Sequence, residues 1–216
     1  MAALTTPTPA PASSPDPRAI AAEIAKAVGH PARLEVLERL AQRPHTVTDL
    51  ATVLRASVTT VSAQLHVLRG AGLVTATREG TSIRYALAAP DVARLVTAVI
   101  DTAVRVRADA REALFARLPD GVSIASAAAT LDPDTVVVDV RPADEFAQGH
   151  IDGAVSIPLE VLESRMSELP PDSVVVLYCR GRLCTLSHEA ARLLADAGFD
   201  ARVLPTGELE RKGASA

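Results

Sequence analysis

The run Tyr178-Cys179-Arg180-Gly181-Arg182-Leu183-Cys184-Thr185 holds both cysteines of the 216-residue sequence. Two thiols this close in a reducing compartment read as reactive chemistry rather than as a structural disulfide. The run follows an apolar strand, Ser173 to Tyr178, and precedes a segment of helical spacing, Leu186 to Ala197. A thiol at the C-terminal end of a buried strand meets converging backbone N–H groups and the positive end of a helix. Both favour a thiolate or persulfide anion, so the Cys179 thiol is expected below its ordinary pKa of about 8.5. Arg180 and Arg182 add positive charge for anionic sulfur donors, and Gly181 lets the backbone curl around the sulfur.

A second set of residues suits a polyanion. Ser57 can cap a helix running to about Arg69, with Val58, Val61, Leu65 and Leu68 on one apolar stripe. Thr59, Thr60, Ser62, Ala63, Gln64 and His66 supply a short, polar outer face. A helix entering a major groove about 12 Å wide needs such small hydrogen-bonding side chains. Arg78 and Arg84 lie on a hairpin turned at Glu79-Gly80, from which they could reach phosphates. Threonines and serines on a helix face can also be merely solvated, so the surrounding pattern has to decide.

That pattern begins with two helices, Ile20 to Val28 and Leu34 to Leu40, divided by Gly29-His30-Pro31. A short helix over Val47 to Leu54, capped by Thr46 with Asp49 three residues on, leads through an Arg55-Ala56 turn into the polar-faced helix. Gly70-Ala71-Gly72 ends it, the hairpin follows, and Asp91 to Leu118 reads as one long helix with Val92, Leu95, Val96, Val99 and Ala103 on its stripe. Leu118-Pro119-Asp120-Gly121 breaks the pattern. Beyond it, a strand over Thr135 to Val140, a helix over Leu159 to Leu169, and the strand and helix around the cysteines alternate as in an α/β domain with a mainly parallel sheet.

Charge divides at the same place. Residues 18–118 carry 14 Arg and Lys against 9 Asp and Glu, whereas residues 119–216 carry 8 against 16. A basic half suits DNA and an acidic half does not. Aromatic residues are 2% with no Trp, so the cores must be built from Val, Leu, Ile and Ala. No apolar run approaches the roughly 18 residues of a membrane span. Met1 to Pro17 lacks a signal-peptide pattern and reads as a disordered Thr/Pro/Ala/Ser tail. A cytoplasmic protein is expected, with residues 1–17 as tail, 18–118 and 119–216 as its two domains, no membrane partner, no cofactor and no metal.

The first domain resembles the ArsR family of winged-helix repressors. The resemblance is carried by Ala27-Val28-Gly29-His30-Pro31-Ala32-Arg33-Leu34, by Thr59-Thr60-Val61-Ser62-Ala63-Gln64-Leu65, by Leu68-Arg69-Gly70-Ala71-Gly72-Leu73-Val74, and by Glu79-Gly80 with Tyr85 and Leu87 in the wing. It implies a mainly α winged helix-turn-helix, a homodimer joined through first and last helices, and double-stranded, palindromic operator DNA as partner. This half has no Cys, and His30, His45 and His66 are not spaced as metal ligands. Any receiver of a signal is therefore expected in the second half.

That second half resembles the rhodanese family. Asp139-Val140-Arg141, Glu145-Phe146 and Gly149-His150-Ile151-Asp152-Gly153-Ala154 match one signature, and Leu177-Tyr178-Cys179-Arg180 opens the active loop. The resemblance implies that Cys179 accepts sulfur from a small donor such as thiosulfate or a persulfide, within a loop of six residues, Cys179 to Cys184. Thr185 stands where the related phosphatases close a longer loop with Arg, which argues against phosphatase activity. Cys184 replaces the basic residue that ends many sulfurtransferase loops; it could attack a persulfide on Cys179, or be a small buried residue at the helix start. Leu204 to Leu209 lacks the glycine-aromatic-Trp pattern seen there in many rhodaneses, so an altered last element is expected. His150 and His188 read as structural. Three functions follow: a sulfur-responsive repressor, a sulfurtransferase whose winged helix mainly dimerises, or a regulator with an inert rhodanese domain.

Overall fold

The computed structural model describes residues 16–211 except 117, 121, 127–131 and 208. The tail expected over 1–17 lies outside these but for Asp16 and Pro17. Those two start the first helix, α1 (Pro17–Val28), with Asp16 accepting from Arg18 N. The break at Gly29-His30-Pro31 is a cap: His30 Nδ1 accepts from Ala32 N at 3.2 Å and Pro31 opens α2 (Pro31–Gln42). After β1 (His45–Thr46), α3 (Val47–Val53) begins with a complete capping box, Thr46 and Asp49 each binding the other's backbone N–H. Ser57 then caps α4 (Val58–Gly70) through Thr60 N at 3.0 Å.

β2 (Val74–Glu79) and β3 (Ser82–Leu87) form the hairpin, which turns at Gly80 with φ of +62°. β1 adds to β3, giving the order β1-β3-β2 of a wing sheet. Val36, Leu37, Leu40, Leu50, Leu65 and Leu68 fill the core beneath it.

The long helix expected over Asp91 to Leu118 is two helices, α5 (Pro90–Val106) and α6 (Ala108–Phe115), separated by extended Arg107. Val104 and Val106 are β-branched and weaken the end of α5. Arg107 pairs with Asp109 in the first turn of α6, which fixes the new start. The redirected chain brings Leu118 and Val122 onto the core of the second domain.

That domain is a five-stranded parallel sheet in the order β4-β8-β7-β5-β6, with β4 (Ser123–Ile124), β5 (Thr135–Asp139), β6 (Val155–Ser156), β7 (Val174–Tyr178) and β8 (Asp200–Val203). α7 (Ala143–Phe146) follows β5 and α9 (Leu186–Asp196) follows β7. Central strands β5 and β7 each hold three consecutive Val, the continuous apolar run of a sheet covered on both faces. Leu159 to Leu169, expected as a helix, is α8 (Leu162–Arg165) between two 3₁₀ turns. Pro158 and Pro170 confine the segment to a length at which tight terminal turns compete with α-helix.

The last described residues reach both domains. Leu204 packs on the sheet beside Val176 and Tyr178, but Leu209 is buried in the winged-helix core, so the chain returns to the first domain. The domains also meet through Arg43–Asp144 and Arg182–Asp101 ion pairs at 3.0 and 3.3 Å. Gln42, at the end of α2, is buried between them. Its Nε2 donates to Arg180 O at 3.3 Å and its Oε1 accepts from Arg141 Nη1 at 2.9 Å.

Candidate functional site

β7 sits mid-sheet, and its C-terminal end delivers Cys179 to a loop closed by α9, as the alternation of apolar strand and helix requires. Cys179 is buried at 3% exposure. Its Sγ lies 3.3 Å from Ser187 Oγ and faces two carbonyls, Cys184 O at 3.4 Å and Gly181 O at 4.0 Å. The Ser187 N–H, in the first turn of α9, points at this sulfur as well. Burial pushes the Cys179 thiol well above its ordinary value, and the charge on Cys184 adds to the effect.

More groups that favour an anion surround Cys184, five residues later. Arg180 Nη1 lies 3.9 Å from Cys184 Sγ, and the N–H groups of Leu186 and Arg180 point at the same sulfur. Against the cost of burial, the neighbouring Cys179, Arg180 and these N–H groups pull the Cys184 thiol down to about 6, so the pair shares one negative charge at neutral pH. The loop therefore holds a thiol–thiolate pair.

Arg180 is fixed for this task by Glu145 of α7, donating to its two oxygens at 2.6 and 2.8 Å. Arg182, expected to attract anions, instead pairs with Asp101 of α5. Gly181 is closely approached: a Cβ there would stand 3.1 Å from Leu209 Cβ and 3.2 Å from Glu210 Oε2, so those side chains would have to shift by a few tenths of an ångström. Leu183 is at the exposed rim. A cavity of about 80 Å³ opens between α2 and the loop, lined by Glu35, Glu38, Arg39, Arg180, Gly181, Leu183 and Cys184. Burial raises the Glu38 carboxyl to about 7, with Arg39 opposing and Cys184 and Glu210 reinforcing the shift.

Beneath the loop, Asp139 and Arg141 form an ion pair with no exposure on either side chain, closed by Arg141 Nη2 to Asp139 Oδ2 at 2.6 Å and to Gly149 O at 2.8 Å. Glu38, Gln42, Ser187, Leu209 and Glu210 escaped sequence reasoning. Nothing in their local spacing distinguishes them from ordinary helix residues; only the fold brings them to the cysteines. His150 stacks on Phe146, consistent with a structural part.

On the other domain, Thr59, Thr60, Ser62, Ala63 and His66 lie exposed along α4, and Val58, Thr59, Ser62, Ala63, His66 and Val67 line an open groove. Val58 departs from the expected apolar stripe, being 52% exposed. It shares the angular position of Val61 and Leu65 but sits at the first helical residue, beyond the reach of the core. Gln64 departs as well. It is half-buried and accepts from Arg33 Nη1 at 3.2 Å, tying α4 to α2. Ser57 is engaged as the cap, with its Oγ also 2.8 Å from Thr60 Oγ1. On the wing, Arg78 Nε donates to Gly80 O, and Arg84 pairs with Glu79 at 2.6 Å.

Among the described residues no three His, Cys, Asp or Glu side chains are grouped to hold a metal ion, and no helix is long and apolar enough to cross a membrane.

Comparison with known proteins matches both halves. Residues 30–76 fit the family model described as bacterial regulatory protein, arsR family, and residues 123–208 fit the rhodanese-like domain. The HTH-type transcriptional regulator Rv0324 of Mycobacterium tuberculosis is 38% identical over 193 residues, covering 88% of this chain and 85% of the relative. A sulfurtransferase of Allochromatium vinosum is 39% identical over 66 residues, 31% of this chain and 60% of that protein. A solved winged helix-turn-helix fragment from Mycobacterium bovis, titled a possible ArsR-family regulator, is 37% identical over 45% of this chain and 94% of its own, with a TM-score of 0.40. With a relative matched over most of both lengths and each domain's signature on its expected fold, the chain belongs to the arsR family of bacterial transcriptional regulators and carries a C-terminal rhodanese-like domain.

Proposed function

We propose that the chain is a cytoplasmic, dimeric repressor whose grip on operator DNA responds to reactive sulfur taken up by Cys179 and Cys184. Residues 18–118 bind DNA and dimerise, residues 119–216 receive the signal, and residues 1–17 are a tail. The observation that carries the reading is the loop's attachment to the DNA-binding domain: Arg180 O accepts from Gln42 and Arg182 pairs with Asp101. A change at the sulfur thus acts on α2 and α5.

Beside the order in which Cys179 accepts the sulfur first, the lowered Cys184 thiol supports one that starts at Cys184. The Cys184 thiolate attacks a terminal sulfur of the donor; with tetrasulfide dianion, one S–S bond breaks, the Cys184 persulfide anion forms and trisulfide dianion leaves with the electron pair. Cys179 can then attack the sulfur bound to Cys184 Cβ. A disulfide forms, the outer sulfur leaves with its electron pair, and with the Cys179 proton it departs as hydrosulfide. Thr59, Ser62, Ala63 and His66 face the major groove, with Ser57, Thr60 and Gln64 holding the helix and Arg78 and Arg84 beside the phosphates. Ile20 of α1 and Val99 and Val106 of α5 are exposed apolar residues suited to the dimer contact.

The test is fluorescence anisotropy of the full chain on its own upstream DNA, reduced and then tetrasulfide-treated. Tight, salt-sensitive binding that weakens after treatment is the expected result. Cys179→Ser should remove the response, and an unaltered response in that variant would refute the coupling. The likeness to a sulfurtransferase supports a second reading, in which the loop turns over and the winged helix mainly dimerises. It requires steady release of sulfite from thiosulfate and sequence-indifferent DNA binding.

A further inference from the structure

The C-terminal turn touches both the loop and the winged-helix core, and its contacts on the two sides differ in kind. On the loop side they are polar. Glu210 Oε1 accepts from Arg182 N at 3.1 Å, Glu210 Oε2 accepts from Gly207 N at 2.7 Å, and Leu209 N donates to Arg180 O at 2.8 Å. Gly207 is seated directly on the loop backbone. A Cβ there would lie 2.2 Å from Cys179 O and 2.7 Å from Gly181 N, so no other residue fits without displacing the loop. On the far side the contact is apolar: Leu209, 1% exposed, belongs to the core that holds Leu37 and Leu40 of α2.

We propose that this turn is a clamp that reads the charge of the loop. Glu210 serves as an internal anion on the Arg182 amide, a loop N–H that an anionic sulfur adduct would compete for. Leu209 carries the displacement of Glu210 into the DNA-binding domain. The electrostatics set the direction. The Cys184 thiolate, Glu38 and Glu210 already crowd one small volume, while Arg180 is engaged by Glu145 and Arg182 by Asp101. A persulfide extends the negative sulfur farther into that volume, and of its two carboxylates only Glu210 is bonded to the loop backbone, through Arg182 N. When it leaves, the Leu209–Arg180 hydrogen bond and the apolar anchor loosen together. Displacing one buried side chain from the core beside α2 then alters the support of α4, to which α2 is tied through Arg33 and Gln64.

This inference rests on sulfur uptake by the loop, so its test reads uptake and clamp release separately. The full chain is treated with sodium tetrasulfide; intact mass reports sulfur addition, and amide hydrogen exchange reports residues 204–211. With added sulfur, exchange at 209–211 should quicken at least tenfold. Glu210→Gln, which keeps the shape and removes the charge, should exchange faster at 209–211 before treatment and change less than twofold after it. Gly207→Ala provides an independent check, since its methyl must unseat the turn and give the treated pattern without sulfur; thermal melts confirm that both variants are folded. Sulfur addition with unchanged exchange at 209–211 overturns the clamp and leaves uptake standing. Failure to add sulfur overturns both.

Discussion

The recognition helix and the cysteine loop are both short polar segments on rigid elements, yet they are built in opposite ways. The exposed residues of α4 come from one continuous helix, and its own 3.6-residue period decides which of them face outward. The loop draws its chemistry from separate places: Glu145 from α7, Ser187 from α9, Gln42 and Glu38 from α2, and Glu210 from the far end of the chain. A surface for binding DNA can be specified locally. A thiolate needs charges and N–H groups arranged in three dimensions, because a sulfur's pKa is set by everything within a few ångströms of it.

The contrast predicts where substitutions act. The largest effect should come from Arg141→Ala, which leaves Asp139 buried without its partner; a loss of about 3–5 kcal/mol is expected by chemical denaturation. Because Arg141 also binds Gln42, the winged helix should feel this loss, whereas a purely local defect would spare it. Leu65→Ala in α4 should cost about 2–4 kcal/mol and leave Cys184 labelling by iodoacetamide unchanged in the folded protein. Ser62→Ala and His66→Ala should each weaken operator binding by about 1–2 kcal/mol, measured by anisotropy, again without altering thiol reactivity.

A smaller, sharper test is pH. Cys184 ionises near 6, so its labelling rate should rise through pH 6 and level off above pH 7, while Cys179 stays slow throughout that range. Arg180→Met should shift the Cys184 profile upward. Labelling of Cys179 ahead of Cys184 would return the thiolate to the strand end. Stability has its own pH signature at His45, buried at 2% exposure and lowered to about 4. Its folded value lies below its unfolded 6.5, so the unfolded chain binds the proton first. Stability should therefore fall as pH drops from 6.5 toward 4, and thermal melts of His45→Leu should show a flatter slope there.

Much of this was legible in the residues. The break at Gly29-His30-Pro31, caps at Thr46 and Ser57, the glycine turn at Gly80, and apolar period 3.6 against continuous Val runs mark the helices and strands through backbone rules that act within a few positions. The two-domain division follows from charge and pattern in the same way. Where local rules were weak, expectation and structure part. Val58 has the right angle on α4 but no core beside it, the α5–α6 break depends on where Leu118 must pack, and Gln64 is taken by Arg33.

What the sequence by itself determined is the fold of each half, the helix that faces outward in the first and the six-residue loop that joins strand to helix in the second. Only the tertiary structure decided that the two thiols share one charge and that the loop is fastened to α2, α5 and the C-terminal turn. The physical reason is range. Hydrophobic periodicity and capping act along the chain, whereas desolvation and Coulomb interaction act through space, between residues such as Gln42 and Arg180 that the sequence sets far apart.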